Sequence, residues 1–298
     1  MRLFVIGHDG QVARSLREQA ISMPNLVIDC RGRPDVDLLR PDSIERALFA
    51  FSPDLVINPA AYTAVDRAES EPEIAFATNR DGAGNVAAAA ARIGVPIIHL
   101  STDYVFDGKK SSPYVETDPV APLGVYGQSK LAGEGAVAAT NKQHIILRTS
   151  WVYASFGNNF VRTMLRLSRQ RNKLSVVDDQ IGCPTFAPDL AFAIFEIARK
   201  ALSNDWDENL AGITHICGSG EVSWCTFARK IMQISQLKCG HSVEVEAIRS
   251  ADYPTTAARP VNSRLCCDRL ATIFGVRMPP LESSLEKCVE SLLNRHPN

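Results

Sequence analysis

No run of ~18 apolar residues occurs in the chain, so a membrane-spanning helix is not expected. An excess of one charge is also lacking. The 32 basic residues face 33 acidic ones, a net charge of −1, which argues against a nucleic-acid backbone or an anionic membrane as partner. The eight cysteines, at 30, 183, 217, 225, 239, 266, 267 and 288, contain no Cys-x-x-Cys pair and no Cys/His group at zinc spacing. Reduced thiols in a cytoplasmic protein are expected. The opening ten residues turn polar and glycine-rich too early for a secretory signal. There is no internal repeat, heptad run or biased tract. His8, His99 and His215 have no nucleophile at motif spacing, which sets a histidine-based mechanism aside.

What the chain does have, over 298 residues, is room for one large or two modest domains with a well-buried core. Residues 2–6 form a short apolar run that stops at Gly7-His8-Asp9-Gly10-Gln11-Val12-Ala13, after which Leu16 and Ala20 continue at helical spacing. Strand, glycine turn and helix in that order give the glycines a meaning. Gly7 permits the turn, Gly10 lets backbone approach a pyrophosphate, and the amides opening the helix, at Gln11 and Val12, would bind it. A second strand at 26–28 is predicted to end at Asp29, close to the offset at which an acid meets an adenosine ribose. Asp29 argues for NAD, while Arg31 and Arg33 argue for the 2′-phosphate of NADP, so cofactor preference stays open. A helix over 42–51 leads into a strand at 55–58. Its carboxyl end brings Ala61, Tyr62 and Thr63 toward a dinucleotide, and Asp37 and Leu38 are placed at the adenine.

A long helical stretch from Glu71-Pro72 to the alanine-rich 86–91 precedes a buried strand at 95–100, which delivers Ser101, Thr102 and Asp103 to the sheet edge. In Val125-Tyr126-Gly127-Gln128-Ser129-Lys130, a helix sets Tyr126 and Lys130 at i and i+4, with Cβ atoms roughly 5–6 Å apart on one face. The neighbouring ammonium is expected to favour the phenolate, so that the phenol can pass a proton to a carbonyl oxygen near neutrality. Thr102 is placed to hold the same carbonyl.

The glycine turn, Thr102 and Tyr126-x-x-x-Lys130 together resemble the extended short-chain dehydrogenase/reductases. Longer blocks narrow the resemblance. Ser-Thr-Asp-Tyr-Val-Phe-Asp-Gly (101–108), Ala64-Val65-Asp66-Arg67-Ala68-Glu69, Arg148-Thr149-Ser150-Trp151-Val152-Tyr153, Asn158-Asn159-Phe160 and Ala258-Arg259-Pro260 look like the dTDP-4-dehydrorhamnose reductase family over almost the whole chain. Nucleotide-sugar 4,6-dehydratases are similar, but they carry a glutamate after the Thr-Asp where this chain has Tyr104, which leaves elimination without its carboxylate. The resemblance implies reduction of dTDP-4-dehydro-β-L-rhamnose to dTDP-β-L-rhamnose by NADPH or NADH, a step toward cell-surface polysaccharide. Tyr126, Lys130 and Thr102 are the implied catalytic residues, and Thr102, Asp103, Trp151 and Arg259 the substrate-binding ones. Arg259 could pair with the nucleotide diphosphate. The resemblance also allows Mg²⁺, without assigning its ligands, and a homodimer. Two other readings stay open: a reductase of a different 4-keto-6-deoxy sugar nucleotide, and a non-catalytic subunit like the regulatory subunit of methionine adenosyltransferase.

The expected fold class is α/β. A Rossmann-type doubly wound parallel sheet occupies 1–150, completed by about 186–217. A smaller α/β substrate-binding domain is expected from 151–185 and 218–298, where strict strand–helix alternation loosens.

Overall fold

The computed structural model describes residues 1–203 and 205–295. Five strands, β1 (Arg2–Ile6), β2 (Val27–Arg31), β3 (Leu55–Asn58), β4 (Ile97–Thr102) and β5 (His144–Thr149), join a later strand, Gly212–His215, in one parallel sheet. Its order is Gly212–His215, β5, β4, β3, β1, β2. The chain therefore reverses direction across the sheet between β1 and β3. A crevice opens at the carboxyl ends of strands on either side of such a reversal.

Both sheet faces are covered, which explains the near-continuous apolar strands. Leu3 and Val5 of β1 pack into one core with helix α1 (Gln11–Ala20) and the helix Ala187–Ala201. The alternate residues Phe4 and Ile6 pack into another, with α2 (Pro41–Phe51), the helix Ala83–Arg92 and Val137 of the helix Val125–Thr140. At about 25 cal/mol per Å² of apolar area, each large side chain buried this way contributes roughly 1.5–3 kcal/mol.

Residues beyond Trp151 build a third core. Helices Phe160–Ser168, Trp224–Cys239 and Leu281–Arg295 bury Val161, Phe227, Ile231, Leu285 and Val289 around Tyr153. Lys173–Val177 pairs in parallel with Glu244–Ile248, and a three-stranded sheet joins Val222–Ser223, Ile181–Gly182 and Asn262–Ser263. Among the described residues no helix is long and apolar enough to cross a membrane.

Several boundaries differ from the sequence reading, among them those of β2, of β4, which runs two residues later than expected, and of the crossover helix. β2 does not stop at Asp29, because Cys30 and Arg31 continue the ladder against Val5 and Ile6. The long crossover helix is interrupted by a π-helical segment, Ala77–Gly82, between Pro72–Phe76 and Ala83–Arg92. Such segments are rare and frequently occur at functional sites.

Candidate active site

The crevice is a cleft of about 540 Å³ whose walls include Gly7, Gly10, Thr102, Tyr126, Lys130 and Trp151. Its floor is the turn after β1. Gly7 has φ +114°, a conformation that L side chains rarely adopt, and its amide donates to the Arg31 carbonyl at 2.6 Å. Gly10 precedes α1, no side chain caps the helix, and no acidic residue stands in its first turn. The first amides of a ten-residue helix thus lack side-chain acceptors at the cleft floor, where a diphosphate suits them. Gln11, Val12, Ala61 and Thr63 also line the cleft. Tyr62 does not. Its amide is taken by Asn79 Oδ1 at 2.8 Å and its hydroxyl donates to Glu71 at 2.6 Å. Asp29, Asp37 and Leu38 lie outside the cleft lining. Asp29 is ion-paired with Arg31 at 2.7 Å, Asp37 Oδ1 accepts from the Leu39 amide, and the Leu38 carbonyl accepts from Asn85.

Tyr126 and Lys130 share the cleft-facing side of the helix Val125–Thr140. That helix is fixed at three places. The Val125 amide donates to Glu69 Oε1 at 2.8 Å, capping its start. A Cβ on Gly127 would lie 2.2 Å from the Tyr104 carbonyl oxygen, so only glycine lets the helix approach the turn carrying Thr102 and Asp103. Farther along, a Cβ on Gly133 would lie 2.1 Å from the Asn79 carbonyl oxygen in the π-helical segment.

The electrostatics differ from expectation in one respect. Burial pushes the Tyr126 phenol up to about 12, partly offset by the neighbouring Thr102 hydroxyl. Helical spacing alone predicts the opposite direction, an ammonium pulling the phenol down. The Lys130 Nζ instead donates to the Leu100 carbonyl at 2.6 Å and lies 3.5 Å from His99 Nε2. Burial in turn lowers Lys130 to about 8, with Glu134 opposing. His99, fully buried in β4, is held neutral by burial and by Lys130. Its other ring nitrogen is 3.2 Å from Asn58 Nδ2, so a polar chain runs beneath the lysine.

Thr102, the last residue of β4, receives the Tyr104 amide at 3.2 Å and donates to Asp103 Oδ1 at 3.1 Å. Burial raises the Asp103 carboxyl to about 6. Tyr104 meets the Tyr126 ring edge-on, with centroids 5.4 Å apart. Trp151 has φ +48° and stacks on Trp224 with centroids 3.4 Å apart, and Gly182 leaves room for its indole. A bulky residue in the left-handed region is strained by about 1–3 kcal/mol and persists only where its surroundings fix it. Arg259 lies behind the lining, close enough to the cleft residue Tyr104 for its charge to act on that phenol. Asp66 binds its guanidinium at 3.1 and 2.7 Å, and it does not line the cleft.

Sequence reasoning missed Asn79. It is 1 % exposed, exchanges two hydrogen bonds with the Tyr62 backbone and donates to Ser129 Oγ at 2.9 Å, tying the loop after β3 to the tyrosine-bearing helix. A lone asparagine in an alanine-rich stretch offers no periodic signal. Among the described residues no group of three or more His, Cys, Asp or Glu is placed to hold a metal ion.

The profile of the family described as "RmlD substrate binding domain" matches residues 1–294. A dTDP-4-dehydrorhamnose reductase of Sinorhizobium fredii is 50% identical over 293 residues, 98% of each chain. Among solved structures, a dTDP-4-dehydrorhamnose reductase of Clostridium acetobutylicum superposes with a TM-score of 0.89 at 34% identity, covering 98% of this chain and 99% of that one. The corresponding Bacillus anthracis enzyme, solved in complex with NADP, gives the same TM-score and identity over 96% and 98%.

Proposed function

Because the chain belongs to the dTDP-4-dehydrorhamnose reductase family, we propose that its cleft reduces the C4 ketone of dTDP-4-dehydro-β-L-rhamnose to give dTDP-β-L-rhamnose. The observation that carries this reading is that Thr102, Tyr126, Lys130 and the glycine turn line one cleft.

A bound NADPH or NADH supplies hydride to the carbonyl carbon. The chain's own residues do the rest. The α1 amides and Gly10 would hold the cofactor's diphosphate. Lys130 uses one N–H on Leu100 and turns another side of its ammonium to His99, which leaves an N–H to reach the nicotinamide ribose hydroxyls. Thr102 orients the carbonyl and Tyr126 donates its proton to the oxygen as negative charge develops there. A phenol kept protonated by burial suits that role. Asp103 and Trp151 contact the sugar, while Tyr104 leaves the site without the extra carboxylate that water elimination would need. The sheet domain of 1–150 with about 186–217 holds the cofactor, and 151–185 with 218–298 holds the sugar nucleotide.

NADPH is the preferred cofactor in this reading. β2 ends at Arg31, whose guanidinium matches a phosphate, and Asp29 is neutralised by it. The reaction is placed in the cytoplasm and the protein in a homodimer, which sedimentation would test. A purely regulatory role gives the cleft's proton-transfer residues nothing to do.

The test is to mix the protein with dTDP-4-dehydro-β-L-rhamnose and each reduced nicotinamide, follow the loss of absorbance, and identify the product by NMR. Tyr126→Phe should lower kcat by about 10²–10⁴-fold with NADPH binding unchanged. No turnover by the natural protein, or undiminished turnover by the variant, overturns the reading.

A further inference from the structure

Asp103 is 2 % exposed and lines the cleft beside Thr102 and Tyr126. Its two oxygens are not equivalent. Oδ1 accepts from the Thr102 hydroxyl at 3.1 Å, whereas Oδ2 is buried with no hydrogen-bond partner among the described residues. An ionised carboxylate with one buried oxygen left bare is costly. A protonated carboxyl with its hydrogen on Oδ2 is instead a donor awaiting an acceptor.

Burial favours the second state. Three titratable groups face Asp103: Tyr104 on its own turn, Tyr126 on the helix Val125–Thr140, and Cys183 from the other lobe. None of them is a cation. The Ser263 hydroxyl, on the strand Asn262–Ser263, and the Thr102 hydroxyl favour the ionised form, but burial outweighs them, and among the described residues no lysine or arginine pulls the carboxyl back down from about 6.

We propose that Asp103 meets the bound sugar as a neutral carboxylic acid, its Oδ2–H donating to a carbonyl or hydroxyl oxygen of the 4-keto sugar, so that sugar binding weakens as Asp103 ionises. This rests on the reductase reading of the cleft and adds the protonation state to it. The alternative is an ionised carboxylate that accepts hydrogen bonds from sugar hydroxyls. The two assignments predict opposite behaviour of the amide variant, because asparagine keeps an acceptor for Thr102 and offers an N–H donor at every pH.

The experiment measures KM for dTDP-4-dehydro-β-L-rhamnose between about pH 5 and 7, where Lys130, lowered to about 8, stays mostly protonated. The sugar nucleotide's diphosphate is a diester and holds its charge throughout. For the natural protein KM should rise with pH, approaching roughly tenfold for each whole pH step once the neutral fraction becomes small. Asp103→Asn should hold KM flat, near the acid-limit value. Asp103→Leu, which lacks a donor, should raise KM by about tenfold at every pH. A pH-independent KM in the natural protein, or a large KM at all pH values in Asp103→Asn, overturns the proposal. Either result requires turnover by the natural protein, so it stays distinct from failure of the reductase reading, which would show as no turnover at all.

Discussion

Arg148 grips Glu134 through two hydrogen bonds, Nε to Oε1 at 2.9 Å and Nη2 to Oε2 at 2.7 Å, inside the protein. Their side chains are 2 % and 5 % exposed. The pair joins β5 to the tyrosine-bearing helix one turn beyond Lys130, and Ser101 on β4 also donates to Glu134. Arg148 Nη1 already lacks a partner among the described residues. Removing the carboxylate charge would leave a buried guanidinium uncompensated, so Glu134→Gln should destabilise the protein by about 3–5 kcal/mol. Replacing both partners with apolar residues of similar volume should recover much of the loss. Urea unfolding of the three proteins checks this, and an unchanged midpoint in Glu134→Gln would contradict it.

Arg31 sets a second expectation. Its guanidinium pairs with Asp29 and it closes β2 at the edge of the glycine turn. If it holds a 2′-phosphate, Arg31→Ala should raise KM for NADPH by about 10–100-fold, the loss of one or two charge-assisted hydrogen bonds. The same change frees Asp29 for an unphosphorylated ribose, so KM for NADH should hold or fall. Equal changes with both cofactors would mean that Arg31 does not discriminate between them.

The difference between β2 as read and β2 as folded shows where local sequence stops being informative. The glycine turn, the bounds of β1 and β3, and the common face of Tyr126 and Lys130 follow from spacing within a few residues, and all are legible. The last two residues of β2 are fixed by pairing with Val5 and Ile6, a register carried by another strand. Asn79 acts on Tyr62 and Ser129, seventeen and fifty residues away, so its neighbours in sequence do not reveal it. The acidity of the Tyr126 phenol escapes the sequence for a related reason. Helical spacing places Lys130 beside Tyr126 but cannot show that the ammonium donates to Leu100, or how deeply both are buried.

Gly133 tests the packing that Asn79 depends on. Alanine at a helical position is normally better than glycine by roughly 1 kcal/mol. Here its Cβ would fall 2.1 Å from a backbone carbonyl oxygen, which cannot swing aside like a side-chain tip. Overpacking of this kind costs about 1–3 kcal/mol or more, so the clash wins. Gly133→Ala should therefore lower the melting temperature. It should also reduce turnover, because the displaced segment carries Asn79. Gly135, whose Cβ would meet nothing within 4 Å, is the control, and Gly135→Ala should be neutral or stabilising.

Asp103 makes a prediction about stability that needs no substrate. Its carboxyl is raised from 3.8 to about 6 in the folded protein. Below the unfolded value both states are protonated and the group's relative stabilisation is fully present. It is lost as pH rises through the folded value, because the unfolded chain ionises freely while the folded one must bury a charge. Asparagine never ionises. Asp103→Asn should thus match the natural protein near pH 4 and exceed it by about 1–3 kcal/mol at pH 7–8, since a tenfold difference in proton affinity between folded and unfolded chains corresponds to roughly 1.4 kcal/mol. Denaturant midpoints across that range measure the gap. A gap that stays constant with pH would show that the Asp103 carboxyl titrates alike in the folded and unfolded chains, and its buried Oδ2 would then need another explanation.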